Sequence, residues 1–537
     1  MAERPTLTST LDTQARTRVD DTADGGPDVL GELPRWCAAR FGARTAFVVG
    51  DEHSSYHLWE ARTERVAQSL VAGGLAPGDR VAVLALNGTD FFDAYAGVTR
   101  AGGVAVPLGT RLGVGEVVFV LEHSEARWLA HDAAGRDTAR AAADAVPGLR
   151  LLDLGALPAA PPAPVVLPRP VPDDVAAIFY TSGSTADPKG VTLTHANVLA
   201  CVRACAAAFR VDADDVAYGV LPLYHTSVHF IPLPTLLRGG TVVLEEGFSA
   251  ASAFAAMERH GVTLLPTVTS IAVLMAKHHR SAEHRPDLSA LRKILLGGGG
   301  VPTSLVEAWQ EIAPGAAPVN CYGMTEMAPA ISVMDPSEVP LRPGSVGLPY
   351  PGNEIRIEAA DGGDAPTGEV GEILVRGPSR MVGYWRNEEA TAAVLRDGWL
   401  ATGDLGRLDD DGYLTIVGRA KWMLKRGGEN VFPDEVEAVL IRHDAVNEVM
   451  VVGVPDEVMG ERVAAVVALR PGADLDAAAL RAWSLERLAA FKVPDLYVLQ
   501  PDELPKNAVG KIDAARLKRD AAQGAIAWTD VRRPAGR

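Results

Sequence analysis

The sequence predicts an α/β protein: a large N-terminal domain of helix-covered, mostly parallel sheets with a small β-barrel-like part, followed by a small α+β C-terminal domain. Three observations carry this expectation. At 537 residues the chain is too long for one hydrophobic core. Short apolar runs such as "TAFVVG", "DRVAVLAL", "GGVAVPL", "VAAIFYTS", "TVVLEE", "VTLLP" and "KILLGGGG" alternate with Ala-rich amphipathic stretches, the pattern of parallel strands covered by helices. After about residue 340 the texture changes to short strands with Gly and Asp turns, as in "GEVGEILVRGP" and "DDDGYLTIVGR", which predicts antiparallel pairing.

Residues 1–27 read as a disordered lead-in, because "MAERPTLTSTLDTQARTRVDDTADGG" is polar and lacks the apolar core of a secretory signal. The large domain is expected over 28–419. Within it, Pro158 to Pro172 form a proline-rich connector that fits neither a helix nor a central strand and precedes a new strand. A boundary falls near Arg419 to Trp422. Residues 420–537 carry a compact series: helix "PDEVEAVLIRH", strands "NEVMVVGVP" and "RVAAVVALR", helix "DAAALRAWSLERLAA" and strand "DLYVLQ". From about residue 523 a loose tail is expected.

Composition narrows the functional classes. Hydrophobic residues make up 47% and charged residues 22%, with no apolar block long enough to span a bilayer. The formal charge of −17, from 51 basic and 68 acidic side chains, opposes wholesale nucleic-acid binding, so an anionic ligand requires local positive groups. Cys37, Cys201, Cys205 and Cys321 show neither disulfide nor zinc spacing, which suits a reducing cytoplasm. A homodimer remains open.

Two stretches carry chemistry. "YTSGSTADPKG", Tyr180 to Gly190, runs from a buried strand into a Gly/hydroxyl turn of the kind that presents backbone N–H groups to phosphate. Thr181, Ser182, Ser184 and Thr185 add hydroxyls, and Lys189 adds a mobile charge. The spacing is not that of a Walker A loop, since Lys189 precedes the second glycine. Taken alone, a Ser/Thr-rich surface turn is the better reading, since such loops are common. In "NCYGMTEMAP", Tyr322, Thr325 and Glu326 lie close together after another strand. A carboxylate beside phosphate calls for an intervening cation, so Glu326 points to Mg²⁺. An ordinary polar turn also fits that segment by itself.

The order and spacing of "YTSGSTADPKG", "LPLYHTS", "NCYGMTE", "TGDLG", "GRAKWMLKRGGENVFPDEVE" and "LPKNAVGK" resemble the adenylate-forming superfamily, in its acyl-CoA synthetase branch, from about residue 30 to 520. The resemblance implies a mobile C-terminal domain and ATP, Mg²⁺ and coenzyme A as ligands. It makes Thr181, Ser182, Gly183, Ser184, Thr185 and Lys189 the holders of the β- and γ-phosphates. It gives Tyr322 to adenine, Thr325 to the α-phosphate and Glu326 to Mg²⁺. Gly298 and Gly299 in "LLGGGGVP" pass close to adenine and acyl chain, and Asp404 and Arg419 hold the ribose. His225 gates the route to the acyl carbon, although a histidine beside Leu221, Pro222 and Leu223 also fits a core position.

Lys511 touches carboxylate and α-phosphate in the first step, where positioning and charge neutralisation dominate because both reactants are anionic. Lys421 matches the hinge about which the small domain turns for the second step. Gly427, Gly428 and Glu429 in "KRGGEN" then border the pantetheine arm. The implied activity is an ATP-dependent acid–CoA ligase acting on a hydrophobic carboxylic acid. Six positions depart from the family's usual residues: Ala186, Gly299, Gly300, Trp422, Asn507 and Val509. They leave open an enzyme of one half-reaction, transfer to a separate carrier protein, or a catalytically silent nucleotide-binding protein. No early G-x-G-x-x-G supports a dinucleotide dehydrogenase.

Overall fold

The computed structural model describes residues 26–157, 165–181, 188–298, 301, 303–335, 338–339, 342, 344–419, 422–426, 429–456, 459–506 and 512–531. The expected lead-in therefore lies almost wholly outside the described residues. Among the described residues the strands form sheets of 14, 7 and 6 strands.

Apolar runs become central parallel strands because both faces must be covered. Val104–Pro107 and Trp128–His131 are buried along their whole length, and Arg80–Leu84 is buried from Val81 onward. These three strands, with Arg150–Asp153 and Val175–Thr181, pair in parallel in the seven-stranded sheet. The largest sheet has a parallel half made of Thr45–Val49, Thr241–Leu244, Val216–Gly219, Leu264–Val268, Lys293–Gly297 and Ala317–Gly323. Its other half is the antiparallel piece expected after about residue 340. That piece joins through Ala330–Val333, which pairs with Ala317–Gly323 on one side and Ser345–Pro349 on the other. The main core draws side chains from both large sheets and from the helices Tyr56–Ala72, Thr89–Arg100 and His195–Ala208.

The six-stranded sheet is built after Arg419. Its long hairpin, Val446–Asp456 with Gly460–Leu469, carries Pro433–Leu440 and Ala477–Leu485 over one core and Ala514–Ala522 over the other. The tail differs from its expected looseness. Thr529–Asp530 pairs antiparallel with Leu496–Gln500. The Asp530 carboxylate accepts two bonds of 2.9 Å from the Arg462 guanidinium, while Ile526 and Trp528 pack on the sheet. The strand it covers would otherwise present an open edge, which proteins commonly block. Among the described residues no helix is long and apolar enough to cross a membrane.

Candidate active site

The parallel half of the large sheet gives way to the antiparallel half at one turn, and that turn is "YGMTEM". Strand Ala317–Gly323 ends there, Thr325–Met327 makes a single 3₁₀ turn, and Ala330–Val333 runs back. Gly323 permits the reversal: a Cβ at this position would overlap the carbonyl oxygen of Pro329. Glu326 is 8% exposed, and its Oε1 accepts the Tyr384 hydroxyl at 2.8 Å.

Asp404 stands opposite Arg419 across adjacent antiparallel strands. Its Oδ1 lies 3.0 Å from Arg419 Nε, and its Oδ2 accepts the Tyr322 hydroxyl at 2.6 Å. Tyr322, Asp404 and Arg419 therefore form one cluster although 82 residues separate the first two. Burial, followed by the Asp404 charge, pushes the Tyr322 hydroxyl well above its ordinary range, which keeps it a donor. An ionised carboxylate offers about four lone-pair directions, so both Asp404 oxygens retain acceptor capacity toward hydroxyls.

The phosphate-binding candidate has a different frame from a strand-to-helix turn. Thr181 and Lys189 face each other where strands Val175–Thr181 and Lys189–Thr194 pair antiparallel. Lys189 sits over the Tyr384 ring, 5.1 Å from its centroid. Gly298 adopts φ +73°, and a Cβ there would approach Val268 Cγ1 to 3.1 Å. Glu429 pairs through its backbone with Arg426 in a short hairpin. Ser182, Gly183, Ser184, Thr185, Gly299, Lys421, Gly427, Gly428 and Lys511 lie outside the described residues, as do Ala186, Gly300 and Asn507.

Two histidines divide the roles that the sequence left open. His225 is exposed and packs at 4.6 Å against the Tyr224 ring, so it is not a core side chain. His229 is the core one, fully buried. Its Nδ1 lies 3.1 Å from the Ala328 carbonyl and its Nε2 lies 2.7 Å from Tyr95 Oη. A carbonyl only accepts, so Nδ1 carries the proton and Nε2 accepts from tyrosine. The neutral ring thus ties the far end of the Thr325–Met327 turn to helix Thr89–Arg100. Sequence reasoning passed over His229 and Tyr384, since both act through partners distant in the chain.

Burial lowers His229 to about 3, with the Ala328 hydrogen bond opposing, and burial lowers His195 to about 4. The unfolded chain therefore binds protons that the folded chain refuses. The stability these rings contribute is complete above about pH 6.5 and is lost as pH falls toward their folded values. We expect His229→Asn to lower stability near neutrality yet flatten the acid slope by about 1.4 kcal/mol per pH unit between pH 6 and 4. Denaturant titrations of both proteins across that range check this. Parallel acid slopes would show that His229 is not the group involved.

The donors fit a hard divalent ion brought in with a nucleotide. Glu326 uses Oε1 for Tyr384, and no described residue hydrogen-bonds to its Oε2. Among the described residues no group of three or more His, Cys, Asp or Glu is placed to hold a metal by itself. Mg²⁺ characteristically takes one or two carboxylates and completes its shell with phosphates and water.

Fold and site together define an adenylate-forming enzyme. The family model described as AMP-binding enzyme matches residues 34–385, and that of the AMP-binding enzyme C-terminal domain matches 435–511. The chain belongs to this family, in its acyl-CoA synthetase branch. It is 40% identical to a feruloyl-CoA synthase of Amycolatopsis sp. over 91% of its own length and 98% of that protein. The o-succinylbenzoate CoA synthetase of Bacillus subtilis, solved with the acyl-adenylate intermediate OSB-AMP, superposes with a TM-score of 0.81 at 31% identity, covering 90% of this chain and 97% of that one. The same enzyme solved with ATP and magnesium ion matches equally, at 0.81 and 31%, over 91% and 99%.

Proposed function

We propose that the cluster of Tyr322, Glu326, Asp404 and Arg419 is the nucleotide site of an enzyme that activates a hydrophobic, aryl-bearing carboxylic acid. The activity is that of an ATP-dependent acid–CoA ligase. A carboxylate oxygen of the acid attacks the α-phosphorus of ATP, the bond to the bridging oxygen breaks, and pyrophosphate leaves. The thiolate of CoA then attacks the acyl carbon and AMP leaves.

Each residue contributes by position. Asp404 accepts the ribose hydroxyls with Arg419 beside it, Tyr322 offers its ring to adenine, and Thr325 donates to the α-phosphate. Bound Mg²⁺ would screen the phosphate oxygens from the incoming carboxylate, and Glu326 is the residue that holds it. Lys189, with Thr181, Ser182, Gly183, Ser184 and Thr185, takes the departing phosphates. Lys511 bridges acid and α-phosphate at an effective attraction of a few kcal/mol. Rotation of residues 420–537 about Lys421 replaces that lysine with Gly427, Gly428 and Glu429 for the thiol step.

The observation that carries this reading is the convergence of Tyr322, Asp404 and Arg419 within hydrogen-bonding distance, beside the turn that holds Glu326. An apolar, aromatic acid is supported by the side chains beside two of the motif positions: Val268 against Gly298, and Tyr224 beside the exposed His225. Relatives named for feruloyl-CoA and indoleacetate point the same way.

Mass spectrometry of reactions containing enzyme, Mg²⁺-ATP, CoA and a panel of acids, from ferulate and indoleacetate to acetate and fatty acids, tests it. Acyl-AMP and acyl-CoA from the aryl acids are expected. Products only from short or aliphatic acids would overturn the substrate class. Conversion of a supplied acyl-adenylate, with none formed from ATP, would identify a one-step enzyme.

A further inference from the structure

Resting on the reading of Glu326 as the magnesium carboxylate, we propose that Tyr384 is a positioning residue that aims Glu326 at the metal and keeps Lys189 from neutralising it.

Tyr384 belongs to a strap that crosses the site from outside. Its two-residue strand, Gly383–Tyr384, pairs antiparallel with Lys189–Thr194, the strand that emerges from the phosphate-binding candidate. Val382 N donates to Thr192 O at 3.0 Å and Trp385 N to Gly190 O at 2.7 Å. One residue earlier, Met381 N donates to the backbone carbonyl of Glu326 at 2.8 Å. The strap is therefore bonded to both halves of the site. Its own shape is held from behind, where Tyr384 N donates to Thr391 Oγ1 at 2.9 Å and Trp385 Nε1 to His123 O at 3.2 Å.

From this frame the tyrosine meets two opposite charges with two different parts of its ring. The hydroxyl donates to Glu326 Oε1 at 2.8 Å, and the ring faces the Lys189 ammonium at 5.1 Å. Lys189 and Glu326 form no ion pair. The arrangement suits the chemistry, because a direct Lys189–Glu326 pair would consume the carboxylate that a cation needs and the ammonium that a phosphate needs. A ring face attracts the ammonium more weakly than a carboxylate would, so Lys189 is released readily to phosphate. The hydroxyl fixes one carboxylate oxygen and leaves the other available, as partners behind metal ligands commonly do.

The test uses the full chain and calorimetric binding of three nucleotides: Mg²⁺-ATP, ATP in EDTA, and AMP. Tyr384→Phe keeps the ring and removes the hydroxyl, so we expect it to weaken Mg²⁺-ATP about tenfold, with AMP and metal-free ATP within about twofold of wild type. Tyr384→Ala frees Lys189 to pair with Glu326 and should weaken Mg²⁺-ATP further. Because the tyrosine acts through the carboxylate, Tyr384→Phe added to Glu326→Gln should cost nothing beyond Glu326→Gln alone. Equal weakening of all three nucleotides, or loss of AMP binding through misfolding, would show a purely structural role and overturn the proposal. A Tyr384→Phe protein with unaltered Mg²⁺-ATP binding, beside a weakened Glu326→Gln, would overturn it while leaving the magnesium reading intact. If Glu326→Gln itself bound Mg²⁺-ATP normally, the magnesium reading would fall first.

Discussion

Asp404→Ala is expected to lower kcat/KM for adenylate formation by ~10²- to 10⁴-fold, because it removes two charge-assisted hydrogen bonds worth roughly 1.5–3 kcal/mol each. The loss should be the same in kind for the second half-reaction started from supplied acyl-adenylate, since the ribose is present in both. That breadth separates Asp404 from Tyr384, whose effect is confined to magnesium-bound ATP. The substitution also leaves the Tyr322 hydroxyl and the Arg419 Nε without their shared acceptor. Tyr322 is therefore freed from the orientation that its hydrogen bond to Asp404 fixes. Calorimetry with AMP, alongside both half-reactions, reads the effect. Unchanged AMP affinity would remove Asp404 from the nucleotide site.

The second large effect concerns stability. The Arg426 guanidinium is buried with the Asp495 carboxylate, each 1% exposed at the side chain. It also donates to the carbonyls of Phe491 at 2.7 Å and Val493 at 3.0 Å. Arg426→Ala removes the nearer guanidinium from the buried Asp495 carboxylate, Arg462 Nε lying at 3.7 Å, and takes the donor from two carbonyls, so a loss of about 3–5 kcal/mol is expected. Hydrogen exchange should localise the loosening to the six-stranded sheet, with strand Leu424–Arg426 opening first. Replacing both partners by apolar residues, Arg426→Met with Asp495→Leu, should recover much of the loss, because no unpaired charge is then buried. Arg462 remains held by Asp530 in that variant. A double variant as unstable as Arg426→Ala would mean that the carbonyl bonds, rather than the ion pair, carry the stability. Arg426 stands at the end of its strand just before Gly427 and Gly428, so if those glycines border the pantetheine arm as proposed, the CoA step should suffer more than adenylation.

Much of the architecture was legible before any tertiary contact was known. Runs such as "RVAVL" and "VAVP" are apolar on successive positions, as suits a strand covered on both faces. The helix, two strands, helix and strand expected after residue 430 occur in that order. Thr181, Tyr322 with Gly323, and Arg419 lie at strand ends, whereas Asp404 sits inside strand Trp399–Leu408. The tail was misjudged because two residues, Thr529–Asp530, carry no periodicity. Their pairing is decided by an open edge at Leu496–Gln500 and by Arg462, 68 residues away.

The sequence by itself determined the family and the chemical types present: a run of hydroxyls with a lysine, and carboxylates in two separate motifs. Those are local properties, fixed by side-chain chemistry and by turns such as Gly323, where only a missing Cβ fits. Tertiary structure alone decided which histidine is buried and neutral, that Tyr322 and Asp404 share a hydrogen bond, and that Tyr384 stands between Lys189 and Glu326. Such pairings depend on strands and helices meeting across 58 residues of chain, from Glu326 to Tyr384, up to 195, from Lys189 to Tyr384. What selects them is the burial of whole elements against one another, which no short stretch of sequence encodes.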